Sequence, residues 1–310
     1  MSSPWRILDC SQAEGHIRTK RGQLIVTISD EFNQTDTTVP LADIQMLILG
    51  PRISLGASTV QVLSREEVSV LFTDWRGVPL GAGFGWPTHS RVAARHLAQA
   101  ALSLPRRKNA WGRIVIAKVT AQAKALDHFG HHRTARNLLK LSREVRSGDP
   151  TNIEARAART YWAKLMPPME SRSPRRRNGI NALLDYGYTI LRGHGIRAVL
   201  AAGLSPPLGL FHRGRGNYFN LVDDLIEPFR PVIDVAAFSL DRDDTLNSPQ
   251  VKRVLVTAPS QRYASGGESS VTCLERLAQH LGMYIEGEIS RLDVPSWEGP
   301  EEPASGPNPS

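Results

Sequence analysis

Cysteine is nearly missing from this chain: Cys10 and Cys273 are the only two in 310 residues. They stand far apart with no CxxC or Cys/His ligand spacing, which excludes a disulfide framework or a zinc knuckle and fits a reducing, intracellular setting. Long hydrophobic runs are also missing. No window approaches the roughly 18 consecutive apolar residues of a membrane span, and the opening MSSPWRILDCSQAEG has no signal-peptide core, so a cytoplasmic protein with no membrane partner is expected. Internal repeats are absent. Acids are scarce through the middle of the chain, where Arg91 to Leu200 carries 22 Lys and Arg against 6 Asp and Glu, a local excess of 16. With a net charge of +8 and a pI near 9.8 overall, this concentration predicts a polyanionic partner. Bases are scarce at the end: Glu286 to Ser310 holds Arg291 alone against six acids. Rich in Pro, Ser and Gly, residues 288–310 read as a disordered acidic tail.

What is present divides by periodicity. The length favours two domains. Residues 1–86 contain short β-branched runs between turn residues (WRILD, GHIRTKRGQLIVTIS, TTVP, IQMLILG, VSVLFTD, VPLGAGFG), with one helix expected over Ser58–Glu67 behind a capping serine. From Ser90 the pattern becomes amphipathic, with Ala and Leu at three- and four-residue intervals in RVAARHLAQAALS, AWGRIVIAKVTAQAKALDHFG and HRTARNLLKLSREVRSG. The fold class is therefore α+β: a small, β-sandwich-like N-terminal domain over 1–86, then a larger all-α domain over 87–287. Trp86-Pro87-Thr88 is the expected linker.

One segment concentrates chemistry. FHRGRGNYFNLVDDLIEPFRP places His212 ahead of a helix bearing Asp223, Asp224 and Glu227. Like charges at helical spacing repel by a few tenths of a kcal/mol per pair, so a cation or water must relieve them. Imidazole with two carboxylates suits Mn²⁺ and, completed by water and phosphate oxygens, Mg²⁺. Asn220 can cap the helix and Asp223 can satisfy its first-turn N–H groups, leaving Asp224 and Glu227 as the better ligand pair. Pro228 should end or kink the helix. Glu154 opens another helix, where Thr151-x-x-Glu154 is the spacing of a capping box. Its company argues for more: Arg156, Arg159 and Lys164 follow on the same helix and suit a phosphate backbone. The loop SRSPRRRNG brings Arg175, Arg176 and Arg177, which would grip phosphates without reading bases, and Arg213 and Arg215 follow His212. Tyr186 and Tyr188 read as core residues.

Together the ordered blocks NIEARAARTYW, RRRNGINALLDYGYTIL, GLSPPLGLFH and FNLVDDLIEPFRPVID, spanning roughly Asn152 to Asp234, resemble the CRISPR-associated integrase family, the adaptation enzymes that insert spacers into a repeat array. The form DLIEPFRP is most similar to the branch found with single-effector systems. The resemblance implies Glu154, His212 and Glu227 as catalytic Mg²⁺ or Mn²⁺ ligands, with Asp224 close by and Asp223 an alternative accessory acid. The family often has aspartate at the place of Glu227, which keeps the charge and lengthens the reach. The implied reaction is transesterification, a 3′-hydroxyl of short duplex DNA attacking a phosphodiester at the edge of the repeat. The implied partners are double-stranded DNA, a second copy of the chain joined through the β-rich domain, and a small ferredoxin-like CRISPR-associated protein bridging two dimers. The alternatives are a non-catalytic basic DNA-binding protein and a general metal-dependent nuclease.

Overall fold

A computed structural model describes residues 6–29, 33–75, 79–85, 89–166, 172, 179–241 and 243–300. Two compact units divide the chain between Thr88 and His89. The expected linker, 86–88, and Arg175, Arg176 and Arg177 lie outside the described residues.

In the first unit, β1 (Arg6–Cys10), β5 (Ile44–Leu49), β7 (Ser69–Thr73) and β8 (Pro79–Gly83) form one sheet in that spatial order. All six residues of β5, IQMLIL, are buried. An unbroken apolar run is what a strand needs when it pairs in parallel on both sides, as β5 does with β1 and β7. The second sheet is ordered β4 (Gln34–Pro40), β3 (Gln23–Ser29), β2 (Gly15–Lys20), β6 (Ile53–Leu55). Its β2–β3 hairpin turns through Arg21 and Gly22, both at positive φ (50° and 76°). That geometry is the two-residue turn matching the strand twist, and glycine at its second position carries no Cβ penalty. Apolar residues including Ile17, Leu24, Val26, Ile44, Leu47 and Leu49 form the core. Among the described residues of this unit one α-helix, α1 (Ala57–Arg65), starts behind Gly56, with no side-chain cap, rather than behind the expected serine.

Past the division the chain is helical: α2 (Val92–Ala100), α3 (Leu104–His128), α4 (His132–Arg143), α5 (Ile153–Leu165), α6 (Gly179–Ala201), α7 (Asn220–Leu225), α8 (Arg230–Phe238), α9 (Pro249–Thr257) and α10 (Ser270–Glu286). Ser248 and Ser269 cap α9 and α10 by accepting the N–H groups of Val251 and Thr272, and Gly287 at φ 84° ends α10. The 25-residue α3 and the 23-residue α6 are the long elements. The first packs against α4, α5 and α8, the second against α8 and α10. Gly187 permits the α6–α8 approach, because a Cβ there would overlap the Ile233 side chain. Pro228 acts as expected: α7 stops at Leu225 and a 3₁₀ turn over Glu227–Phe229 leads into α8. Among the described residues no helix is long and apolar enough to cross a membrane.

The tail departs from expectation. Over 289–300 it packs on the helical unit, with Leu292 and Trp297 buried. The Trp297 ring stacks 6.5 Å from Tyr263, Glu298 N–H donates to the Tyr263 carbonyl at 2.9 Å, and Lys124 Nζ donates to the Glu298 carbonyl at 3.0 Å. Two large apolar side chains within an acidic, proline-rich stretch anchor it where average composition predicted disorder. Residues 301–310 lie outside the described ones.

Candidate active site

The helical unit brings Glu154 and Glu227 together from different elements, around a cation that the sequence reading did not single out. Lys118 Nζ, on α3, lies 2.6 Å from Glu154 Oε1 and 2.6 Å from Glu227 Oε2. Arg230 Nε approaches the other Glu227 oxygen at 3.1 Å. Burial alone would lift the Glu227 carboxyl, but Arg230 and Lys118 outweigh it and hold the group down at about 2. Burial likewise opposes the Lys118 charge, and Glu227 and Glu154 overcome it, so the ammonium stays protonated. The contact to Glu227 Oε2 is an ion pair without hydrogen-bond alignment, which leaves this buried oxygen with no directional partner.

Glu154 is free to face Lys118 because another residue caps its helix. Asp149 Oδ1 accepts the Ile153 N–H and Oδ2 the Glu154 N–H, each at 2.8 Å. Asn152 adopts φ 52°, a left-handed conformation that asparagine tolerates well. The capping box read from Thr151 and Glu154 is therefore not formed. Arg156 and Arg159 are exposed, about 200° and 140° around the helix from Glu154. They point away from the Lys118 side and belong to a separate surface.

His212 is held by Asp224. The fully buried Asp224 carboxylate accepts four hydrogen bonds: Leu210 N–H at 2.6 Å and Phe211 N–H at 3.0 Å on Oδ2, His212 N–H at 3.1 Å and the His212 ring Nδ1 at 2.7 Å on Oδ1. Hydrogen bonding to Asp224 raises the His212 pKa against the opposing effect of burial, with smaller contributions from Asp224, Glu227 and Asp223 charges. A ring that donates from Nδ1 presents Nε2 as its free nitrogen. The loop closes tightly, since a Cβ at Gly209 would collide with the His212 carbonyl and crowd Asp224 Oδ2. Phe211 lies flat on buried Trp111 (4.4 Å, 3°), which gives the histidine a rigid neighbour.

Three expectations differ from the observed contacts. Asp224, paired with Glu227 as a ligand in the sequence reading, spends both oxygens on the His212 loop, and so fits an orienting role. Asp223 does not satisfy first-turn N–H groups: its Oδ2 accepts from Arg192 Nη2 at 2.8 Å and Asn217 Nδ2 at 2.7 Å. Nor does Asn220 cap α7. Its side chain ties the loop, accepting the Gly214 N–H at 3.1 Å and donating to the Pro207 and Gly214 carbonyls at 3.2 Å. The crowded acids are thus relieved separately, by Arg192, by backbone N–H groups, and by Lys118 with Arg230.

Lys118, Gln122 and Arg230 were missed. The available signal was that Lys118 and Gln122 continue the buried α3 stripe of Trp111, Val115 and Leu126 at helical spacing. A lysine on such a stripe needs buried acids. Beside it is a cavity of about 210 Å³ lined by Lys118, Gln122, Trp162, Tyr188, Glu227 and Asp234, among others. A second cleft, about 360 Å³, lies beside the His212 loop and includes Gln99, Arg107, Arg213, Arg215 and Asn217. Burial and then the Arg213 charge push the Arg107 guanidinium below its ordinary value. Like charges converging on one cleft suit an anion.

Whether the acids fit a divalent cation can be judged from these contacts. No three His, Cys, Asp or Glu residues among the described ones are gathered closely enough to hold a metal ion. Two carboxylates nonetheless share a point of positive charge, one with a buried oxygen lacking a directional partner, and a half-exposed imidazole is fixed nearby by a carboxylate. Hard oxygen donors plus an oriented imidazole match the preferences of Mn²⁺ and Mg²⁺.

Comparison with known proteins agrees with the family resemblance. The family model described as CRISPR associated protein Cas1 matches residues 10–256. The CRISPR-associated endonuclease Cas1 of Neisseria meningitidis serogroup C (strain 8013) is 34% identical over 256 residues, 81% of this chain and 82% of that protein. In solved structures, a casposase bound to integration product matches with a TM-score of 0.75 at 20% identity, covering 93% of this chain and 92% of the other. A CAS1 protein from Thermotoga maritima gives 0.71 at 17%, covering 96% and 99%. At such identities these two structures speak for the fold alone, while the family match runs through Glu154, His212 and Glu227: the chain belongs to the CRISPR-associated Cas1 family.

Proposed function

We propose that this protein is a divalent-metal-dependent DNA integrase and endonuclease of CRISPR adaptation, joining 3′-hydroxyl ends of short duplexes to a repeat array by transesterification. The observation that carries this is the convergence of Glu154 and Glu227 on one buried positive charge, with a carboxylate-oriented His212 beside them. Glu154, Glu227 and His212 Nε2 would hold Mg²⁺ or Mn²⁺. When bound, such an ion supplies Lewis acidity toward a phosphoryl oxygen and lowers the pKa of the attacking hydroxyl.

The chain's own groups have separable tasks. Asp224 keeps the His212 proton on Nδ1 and fixes the ring plane. Arg107, Arg213 and Arg215 form a cationic cleft suited to the DNA backbone next to that loop. Arg156 and Arg159 serve a second stretch of duplex, from the opposite side of α5. With water in place of the hydroxyl, the same constellation nicks DNA. Solved relatives include a casposase bound to integration product and a Cas6-RT-Cas1–Cas2 complex. By analogy with these proteins of the same fold, we assign DNA and a small adaptation partner to this chain and place it in a homodimer.

The test mixes the protein and its small partner with short duplexes and a repeat-bearing plasmid, with and without Mn²⁺. Joined products that need Mn²⁺ and vanish in Glu227→Ala are expected. Duplex binding indifferent to Mn²⁺, with no strand chemistry, would overturn the reading in favour of a DNA-binding protein. Plasmid degradation without joining would leave a general nuclease.

A further inference from the structure

The α3 pair Lys118 and Gln122, one helical turn apart, face the same cavity and carry complementary oddities. Lys118 places its ammonium between the two carboxylates that the proposed function assigns to a metal ion. Gln122 is 3% exposed, and its Oε1 has no hydrogen-bond partner among the described residues. A buried amide oxygen without a protein partner is an open acceptor for any donor that enters the cavity. The cavity beside it, about 210 Å³, also presents Asp234 and is large enough for several waters or a moved side-chain head.

We infer that Lys118 is a two-position counter-ion: it holds Glu154 and Glu227 together while the site is metal-free, and on metal entry its ammonium withdraws into the cavity to the Gln122 carbonyl. The inference rests on the metal reading of Glu154 and Glu227. Two cations cannot share the space between two carboxylates at 2.6 Å from each without strong repulsion. The lysine stem is flexible, and its head carries three donors free to reorient. A second berth lined by the Gln122 acceptor and the Asp234 carboxyl lets the displaced ammonium stay hydrogen-bonded next to the site. Lys118 is on this account a positioning residue that sets how tightly the metal binds.

Isothermal titration of the metal-free full chain with Mn²⁺ tests this without reference to catalysis. Lys118→Met should bind Mn²⁺ about tenfold or more tighter than wild type, since no resident charge has to leave. The same variant should melt lower in EDTA, having left Glu154 without its counter-ion and Glu227 with Arg230 alone. Gln122→Leu should bind Mn²⁺ about tenfold more weakly, because the displaced ammonium loses its acceptor. In the Lys118→Met background, Gln122→Leu should have no further effect. Equal or weaker binding by a folded Lys118→Met, checked by circular dichroism, overturns the inference. So does a Gln122→Leu effect that persists without the lysine. Should Lys118→Met not fold, Lys118→Arg serves: its bulkier fixed charge should weaken Mn²⁺ binding, and unchanged affinity counts against the exchange. Glu154→Gln separates the two layers. Loss of Mn²⁺ binding in Glu154→Gln with no change in Lys118→Met sinks the lysine exchange alone, whereas absence of Mn²⁺ binding in wild type sinks the metal site and the exchange together.

Discussion

Asp224 shows how much one carboxylate can organise, since four donors from three successive residues end on it. Asp224→Asn keeps the volume but swaps one acceptor for a donor that faces N–H groups. The variant should fold, and its Mn²⁺ affinity or strand-joining rate should fall about 10- to 100-fold, the usual cost of losing a group that orients a ligand. Titration calorimetry and the joining assay would read it; near wild-type values would make Asp224 a bystander. At this scale the sequence was partly legible. Residue type and order drew attention to His212 and to the crowded Asp223, Asp224 and Glu227, whereas the grouping of Glu154 with His212 and Glu227 came only from the resemblance of their blocks to the family. Their partners were harder to read, since Lys118 comes from a helix more than thirty positions upstream of Glu154, and its place on the buried α3 stripe says only that some acid must meet it, not which one. Charge pairing is a three-dimensional fact, and composition could say only that some cation was required.

The start of α5 carries the argument at the level of elements. Asp149, outside the helix, closes its first turn through two 2.8 Å bonds, one to the N–H of Glu154 itself. Asp149→Ala should cost about 1 kcal/mol of stability, as lost caps do. It should also loosen the turn that aims the glutamate, lowering Mn²⁺ affinity with no change of charge within the metal site. Thermal unfolding and titration check the two halves separately. Long periodic segments such as α3 and the β2–β3 hairpin were readable because pattern and turn chemistry agreed. Caps were not: Thr151, Ser58 and Asn220 all had plausible local geometry, and tertiary contacts assigned their neighbourhoods to Asp149, Gly56 and the His212 loop instead.

For the molecule as a whole, two buried groups set opposing pH trends. His194 is 3% exposed, with neither ring nitrogen partnered among the described residues, and burial followed by the Arg197 charge holds its pKa near 4. Between about 4 and the ordinary 6.5 the unfolded chain binds a proton that the folded one refuses, so this group costs stability as pH falls. Asp234 accepts from Tyr161 at 2.7 Å and from Tyr188, yet burial lifts it from 3.8 to about 6. Here the folded chain keeps a proton the unfolded one has released, so stability falls as pH rises through 4 to 6. Each is worth roughly 3 kcal/mol at 1.36 kcal/mol per pKa unit, and they offset. Urea midpoints at pH 4.5 and 6 should therefore be similar in wild type. Asp234→Asn should become acid-sensitive and His194→Gln should become less stable at pH 6 than at 4.5; parallel curves for all three proteins would contradict the assignment. Bulk charge was legible from sequence, but these two sites were not, because each depends on what surrounds it.

The packed end of the chain has a practical corollary. Trp297 behaves as a latch against Tyr263, and Glu298 is the hook that Lys124 of α3 catches, so the helix bearing Lys118 and Gln122 is braced by residues that composition would have discarded. A version of the protein trimmed after residue 287 should uncover an apolar scar and melt several degrees lower.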